Sequence, residues 1–271
     1  MKIQYVSDLH LEFPDNKAFI KETPILPIAD YLVIAGDLGY LKQTDGKLQY
    51  ENYCNDFLDY CNKKWKMTII VPGNHEYYGG FHIKETPRKY NLRDNVVLIN
   101  NNFIDIPTKE DYNILLYGAT LWSNINPLEY VDVARDMNDY HCIMYDDNVK
   151  FNPGLSIQEY LNTYSFLNNA KVPPYIKNKH NGKPYKMVFV THHGCHPKCI
   201  DDCYRSSKVN SAYSTDLTEL ITKKAPAVWI YGHTHQTKQF VVNDTVICEN
   251  SLGYVNYDST SHFIPDVCIN V

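Results

Sequence analysis

The sequence predicts an α/β fold in one domain over residues 1–271, and three observations predict it. Short apolar runs alternate with stretches of helical period along the whole chain. Five of those runs end in Asp, Asn or His. No linker, repeat or low-complexity tract divides the chain.

Met1 to Val6 alternates apolar and polar residues and runs into Ser7-Asp8-Leu9-His10, which reads as a strand feeding a functional loop. Tyr31 to Ala35 is a second short strand and ends at Gly36-Asp37. Tyr53, Phe57, Cys61 and Trp65 recur every fourth residue, so a helix is expected over Tyr50 to Trp65. Met67 to Val71 is the third strand and closes on Pro72-Gly73-Asn74-His75. Val96 to Ile99, Phe103 to Ile106 and Ile114 to Ala119 read as strands, and Pro127 to Tyr145 as partly helical. Ser156 and Glu159 form a capping-box pattern, so a helix is expected to start at Ser156, with Ile157, Tyr160, Leu161 and Tyr164 as its apolar face. Val172 to Tyr185 holds three prolines, a glycine and several lysines and reads as a surface loop. Met187 to Val190 is a strand ending in Thr191-His192-His193. Ala212 to Lys224 reads as a helix with Leu217, Leu220 and Ile221 inward. Ala227 to Tyr231 is a strand ending in Gly232-His233-Thr234-His235, and Lys238 to Val242 and Thr245 to Cys248 form a hairpin across Asn243-Asp244.

Composition narrows the function. With 44% hydrophobic and 21% charged residues the chain is ordinary for a soluble globular protein. A net charge of −5 argues against a large basic footprint for extended nucleic acid but leaves a nucleotide or other small phosphorylated substrate open. The apolar runs are too short for a membrane helix, and acids appear early, so a cytoplasmic protein with reduced thiols is expected. Cys195, Cys199 and Cys203 are spaced by four, which matches none of the usual zinc patterns and reads as a helical turn carrying small thiols.

In open α/β sheets, ligands gather at the carboxyl ends of the strands, so the five clusters can converge on one rim. They offer Asp8 and His10, Asp37, Asn74 and His75, His192, and His233 and His235. A mixed nitrogen and oxygen set of this kind suits manganese, iron or zinc and is too rich in nitrogen for calcium or magnesium alone. On an extended strand end, residues two apart point the same way, so Asp8 with His10, and His233 with His235, could each grip one ion. At least seven good donors are present, more than one ion takes. The expectation is therefore two divalent ions sharing a carboxylate, with Asp37, alone at its strand end, as the bridge. Two such ions clamp a phosphoryl group and bring the pKa of a bound water to about 7.

Asp8-Leu9-His10, Gly36-Asp37, Gly73-Asn74-His75-Glu76, Thr191-His192-His193 and Gly232-His233-Thr234-His235 resemble, in order, the five motifs of the calcineurin-like metallophosphoesterase superfamily. Tyr117 to Trp122 and Asn250 to Tyr254 resemble segments of its small, stand-alone bacterial and viral members. The resemblance implies a four-layer αββα sandwich, two mixed β-sheets flanked by helices. It implies that Asp8, His10 and His235 hold one ion, that Asn74, His192 and His233 hold the other, and that Asp37 bridges them. It implies hydrolysis of a phosphomonoester or phosphodiester by a bridging hydroxide, with manganese favoured. It also implies that His75 is no ligand but contacts the phosphate and protonates the leaving oxygen, and that His192 rather than His193 binds metal. Serine/threonine protein phosphatases of the superfamily carry an Asp-Arg pair just after the bridging aspartate. Tyr40 and Leu41 stand there in this chain, which argues against that activity.

Glu76 is a candidate for orienting a ligand from behind, His193 and His196 for lining the pocket, and Arg135 and Arg205 for clamping phosphate oxygens. His82, His141, His180 and His262 are read as structural. Two other functions compete with the hydrolase. A nuclease or nucleotide phosphodiesterase of nucleic-acid metabolism would favour a basic stripe. A non-catalytic module on the same fold would have lost ligands or His75. Neither feature is present in the sequence.

Overall fold

Val, Ile and Leu fill the apolar runs, and their branched side chains suit a strand covered on both faces. The structure, a computed structural model, describes residues 1–177, 182–258 and 262–271. The first half runs β1 (Lys2–Val6), α1 (Pro14–Glu22), β2 (Tyr31–Ala35), β3 (Leu41–Thr44), β4 (Lys47–Tyr50), α2 (Asn55–Lys64), β5 (Met67–Val71), β6 (Lys89–Asn91), β7 (Val96–Ile99), β8 (Asn102–Ile106) and β9 (Asn113–Ala119). Then come α3 (Tyr130–Asp136), α4 (Asp139–Cys142), β10 (Met144–Asp146), β11 (Val149–Lys150), α5 (Pro153–Asn168), α6 (Pro174–Lys177), β12 (Tyr185–Thr191), α7 (Thr218–Lys224), β13 (Val228–Tyr231), β14 (Thr237–Val242), β15 (Thr245–Asn250) and β16 (Cys268–Asn270).

Two six-stranded mixed sheets carry the fold, ordered β16-β1-β2-β5-β7-β6 and β14-β15-β13-β12-β9-β8. In each, four central strands are parallel and both edge strands antiparallel. Ile3, Val33, Ile69 and Val97 of one sheet meet Ile114, Leu116, Val190 and Ile230 of the other in a shared inner core. A second core lies between the first sheet and α1 and α2, a third between the second sheet and α5 and α7. The four-layer sandwich implied by the resemblance is therefore observed. Burying each of these aliphatic side chains contributes about 1.5–3 kcal/mol. The sheets touch at one end, where Ser7, just past β1, bridges to Ser251, just past β15. The loop that carries Asp8 and His10 begins at that contact.

Local expectations fail where side chains compete for the backbone. The helix expected from Ser156 starts at Pro153, capped by Asn152, whose side chain accepts from the Leu155 amide. Ser156 is buried inside that helix and Leu161 is exposed. The expected helix from Ala212 shrinks to α7, since Asp216 accepts from the amide and the hydroxyl of Thr218 and sets a late start. The presumed loop from Val172 to Tyr185 contains the single turn α6, and β12 already begins at Tyr185. His180 lies outside the described residues. The helix α1, the β3–β4 hairpin and the edge strand β16 were not anticipated, being short and largely polar. No helix among the described residues is long and apolar enough to cross a membrane.

Candidate active site

The loops after β1, β2, β5, β12 and β13 bring all seven expected donors together. Asp8, His10, Asp37 and His192 are buried almost completely, and Asn74 and His233 nearly so. The expected geometry for Asp8 with His10, and for His233 with His235, is corrected here. All four have left the strand and adopt left-handed backbone, with φ of 53°, 46°, 72° and 52°, as does Asp37 at 54°. Asp and His tolerate this region better than most residues, but it still costs on the order of 1 kcal/mol or more each. Hydrogen bonds between the loops offset the cost: the Asp8 amide donates to Gly36 O at 3.0 Å, and that of His10 to Asp37 O at 2.9 Å. Two glycines permit the crowding. A Cβ on Gly36, itself at φ 92°, would sit 2.3 Å from His192 Nδ1, and one on Gly73 would sit 2.1 Å from Asp37 Oδ1.

The donor atoms face one another. Asp8, His10 and His235 form one group within mutual reach, and Asp37, His192 and His233 form another. His10 Nε2 lies 3.1 Å from His235 Nε2, and His192 Nε2 lies 2.9 Å from Asn74 Oδ1. His235 Nε2 is 3.6 Å from Asp8 Oδ1. His233 Nε2 is buried with no hydrogen-bond partner among the described residues. Lone pairs aimed at lone pairs are costly in a buried site, and a cation at their focus removes the cost.

Outer contacts turn each donor inward. Ala35 O accepts from His192 Nδ1 at 2.9 Å, and Asp258 pairs with His235 Nδ1 at 2.7 Å. Glu12 pairs with His10 Nδ1 at 3.1 Å. Asp139 accepts from Asn74 Nδ2 at 2.8 Å, which leaves the amide oxygen pointing to the centre. Asp8 accepts from the His233 amide and from the Ser251 hydroxyl. Such partners commonly fix the tautomer and orientation of metal-binding side chains. The donor set and its orientation thus fit divalent metal ions.

Electrostatics separates the imidazoles. Burial opposes a charge on His192, yet Asp37 and its ion pair with the ring push it up to about 10. Burial likewise opposes a charge on His75, but Asp37 and Glu12 carry it up to about 9. Burial and His192 push His193 down to about 3, and burial with His193 and His192 lowers His233. His10 is lowered by burial and by His75. With no ion bound, Asp37 and Glu12 thus favour a proton on His192 and His75, while His10, His193 and His233 are held toward the neutral form; binding an ion would require His192 to lose that proton.

His75 sits beside Asn74 and within reach of His10 and Asp37, but both of its ring nitrogens have other partners. Its Nδ1 meets Glu12 Oε1 at 2.7 Å, its Nε2 meets the Tyr254 hydroxyl at 3.0 Å, and its ring stacks on Tyr78. His75, Asn74, His233, His235 and Tyr254 open onto a cavity of about 480 Å³. Its far wall includes Asp136, Asp201, Tyr204 and Tyr213, and neither lysine nor arginine lines it among the described residues.

Of the remaining candidates, Glu76 is fully buried and accepts from the amides of Asp37, Leu38 and Gly73 and from the Tyr50 hydroxyl. It ties the β2 loop to the β5 loop. Burial and Asp37 push it up to about 8. His193 packs behind His192 and His233 rather than in the cavity. His196 caps the turn after it and packs on Phe240, away from the cavity. Arg135 pairs with Asp132 and Asp136, and Arg205 with Asp202, both exposed and outside the cavity lining. Cys195 and Cys199 are buried and Cys203 exposed; Cys199 and Cys203 lie in two separate 3₁₀ turns and Cys195 precedes them in a bend, so no single helix carries the three, and all eight cysteines are free. Glu12, Asp139, Ser251, Tyr254 and Asp258 were missed by sequence reasoning. Glu12 continues the alternation Asp8-Leu9-His10-Leu11-Glu12, a signal that was available, and Ser251 and Tyr254 lie in a run already singled out for family likeness. Asp139 and Asp258 carried none.

Three comparisons bear on this site. The family model described as Calcineurin-like phosphoesterase matches residues 1–237. An uncharacterized protein, L509, of Acanthamoeba polyphaga mimivirus is 28% identical over 268 residues, covering 93% of this chain and 91% of that one. In structure the chain is similar to a phosphopantetheinyl hydrolase, PptH, from Mycobacterium tuberculosis, with a TM-score of 0.64 at 18% identity over 93% of this chain and 89% of the other. At that identity the likeness speaks for the fold.

Proposed function

The chain belongs to the calcineurin-like phosphoesterase family and is a metal-dependent phosphoester hydrolase; from that premise we propose a binuclear centre acting on a small phosphomonoester or phosphodiester. Asp8, His10 and His235 would hold one ion and Asn74, His192 and His233 the other, with Asp37 placed to serve both. The observation that carries this reading is the position of one oxygen. Asp37 Oδ2 lies 3.8 Å from His10 Nε2 and 3.4 Å from His192 Nε2, so a single carboxylate reaches both donor groups. Manganese, iron and zinc all suit the donor set, with manganese favoured for activity. When bound, the ions supply Lewis acidity at the phosphoryl oxygens and lower the pKa of water to about 7.

The chain's own part is to orient and to move a proton. The amide of His75 donates to Asp37 Oδ1 at 2.9 Å, which joins the proton donor to the proposed bridge. The His75 ring, which lines the cavity beside Tyr254, protonates the leaving oxygen. The cavity wall of carboxylates, amides and phenols favours a hydrogen-bonding, uncharged leaving group such as a sugar or nucleoside. It weighs against a polyanionic strand, and so against the nuclease reading.

Metal analysis after manganese loading, followed by a screen of monoesters and diesters, tests the proposal. We expect close to two ions per chain and turnover of activated aryl phosphates, with phosphoserine peptides left largely intact. Saturation at one ion overturns the binuclear centre. His75→Asn is expected to lower kcat on an alkyl or nucleoside ester about 10²–10⁴-fold. The loss should be smaller for a nitrophenyl ester, whose leaving group needs no proton.

A further inference from the structure

We propose that Glu12 is the positioning residue of the reaction centre, its one oxygen Oε1 holding the Nδ1 sides of both His10 and His75. The two contacts are 3.1 Å and 2.7 Å, and the rings stand edge to face with centroids 4.4 Å apart. The Glu12 side chain is only 4% exposed, and its other oxygen, Oε2, is buried with no partner among the described residues. All of its hydrogen bonding is therefore spent on these two imidazoles.

The consequence lies on the far side of each ring. An imidazole that donates from Nδ1 to a fixed acceptor presents Nε2 in a fixed direction. His10 Nε2 then meets His235 Nε2 at 3.1 Å, inside the donor cluster. His75 Nε2 meets the Tyr254 hydroxyl at 3.0 Å, on the cavity wall. One carboxylate thus aims one histidine at the metal and the other at the substrate. It also sets the distance between the two functions, because both rings hang from the same atom. A simpler role, balancing the charge on buried imidazoles, predicts something different. Charge balance needs a carboxylate but no particular reach, whereas positioning needs an acceptor at this reach but no charge.

Glu12→Gln and Glu12→Asp separate the two without emptying the position. Glutamine keeps an acceptor oxygen at the right length, and aspartate keeps the charge but falls short. The inference rests on His75 as proton donor, but its first readout does not. In the metal-free protein, ¹⁵N NMR at alkaline pH should find the His75 Nδ1 protonated in the native chain and in Glu12→Gln, and largely unprotonated in Glu12→Asp. At saturating manganese, Glu12→Asp should lose about 10²-fold in kcat on an alkyl ester with KM little changed, and less on a nitrophenyl ester. Its metal affinity should fall by about 10–100-fold. Glu12→Gln should stay within a few-fold of native in all three. The reverse order, with aspartate native-like and glutamine impaired, overturns positioning in favour of charge balance. Unchanged ring protonation in both variants overturns it outright, whatever the esterase assays give.

Discussion

Glu76→Gln probes whether one buried carboxylate holds two site loops in register. Glu76 Oε2 accepts from the amides of Asp37 at 3.0 Å and Gly73 at 2.6 Å, and Oε1 from the Leu38 amide and the Tyr50 hydroxyl, each at 2.9 Å. Three of these four donors are N–H groups that cannot turn into acceptors. Glutamine can satisfy the Asp37 and Gly73 amides with its oxygen, and its NH₂ can donate to a rotated Tyr50 hydroxyl. That leaves the Leu38 amide facing another donor. One orphaned buried amide costs about 1–3 kcal/mol. Each kcal/mol moves the Tm of a chain near this size by about 2–4 °C, so a drop of roughly 2–12 °C is expected. The Asp37 backbone loosens with it, and metal affinity should fall by about 10–100-fold. Thermal unfolding and chelator competition read the two effects. They are best measured above the pH of about 8 to which burial and Asp37 push this carboxyl, where the native group is ionised. Tyr50→Phe is the control: it loses one hydrogen bond, about 1 kcal/mol, and leaves metal affinity alone. A Glu76→Gln protein with native Tm and native metal affinity refutes the reasoning.

Other outcomes follow from the same geometry. Asp37→Asn should weaken both ions together and abolish turnover, whereas Asp8→Asn should chiefly weaken one; metal titration that finds both sites intact in Asp37→Asn places the bridge elsewhere. Removing the metals with a chelator should lower Tm by roughly 10–20 °C, since each ion at a hundredfold excess over its Kd contributes about 2.7 kcal/mol to folding. In the metal-free protein, His193 is neutral when folded down to about pH 3, while the unfolded ring takes up its proton near the ordinary value of 6.5. Its contribution to stability is therefore present above about pH 6.5 and lost as the pH falls from there toward 3, by about 1.4 kcal/mol per unit. His193→Phe should flatten the acid limb of the stability curve by that slope, which urea unfolding at several pH values would measure.

The strands and the donors were legible because their signals are local. Tyr31 to Ala35 and Met67 to Val71 are continuous β-branched or apolar runs, and each ends in a glycine or proline followed by a polar cluster. Helix starts were read less well. Ser156 with Glu159 satisfies a capping pattern, yet Asn152 beside Pro153 offers a stronger start, and the buried face follows from it. In the site, His192 and His193 are both buried, and only their partners differ: His192 Nε2 meets Asn74 Oδ1, whereas His193 packs on Trp122 and His233.

By itself the sequence determined the α/β class, the order of the central strands along the chain, and which Asp, Asn and His residues follow five of them. Period and punctuation are properties of a few adjacent residues, and they survive without knowledge of the rest. Tertiary structure alone decided how those residues act. It brought Glu12 to His75 across 63 positions, Asn74 to Asp139 across 65, and Asp8 to Ser251 across 243. It also set Asp8, His10, Asp37, His233 and His235 in left-handed backbone, which no strand pattern encodes. A buried polar atom is satisfied by whatever donor or acceptor the folded loops deliver within about 3 Å, and that depends on sheet order and loop path rather than on the neighbours in sequence.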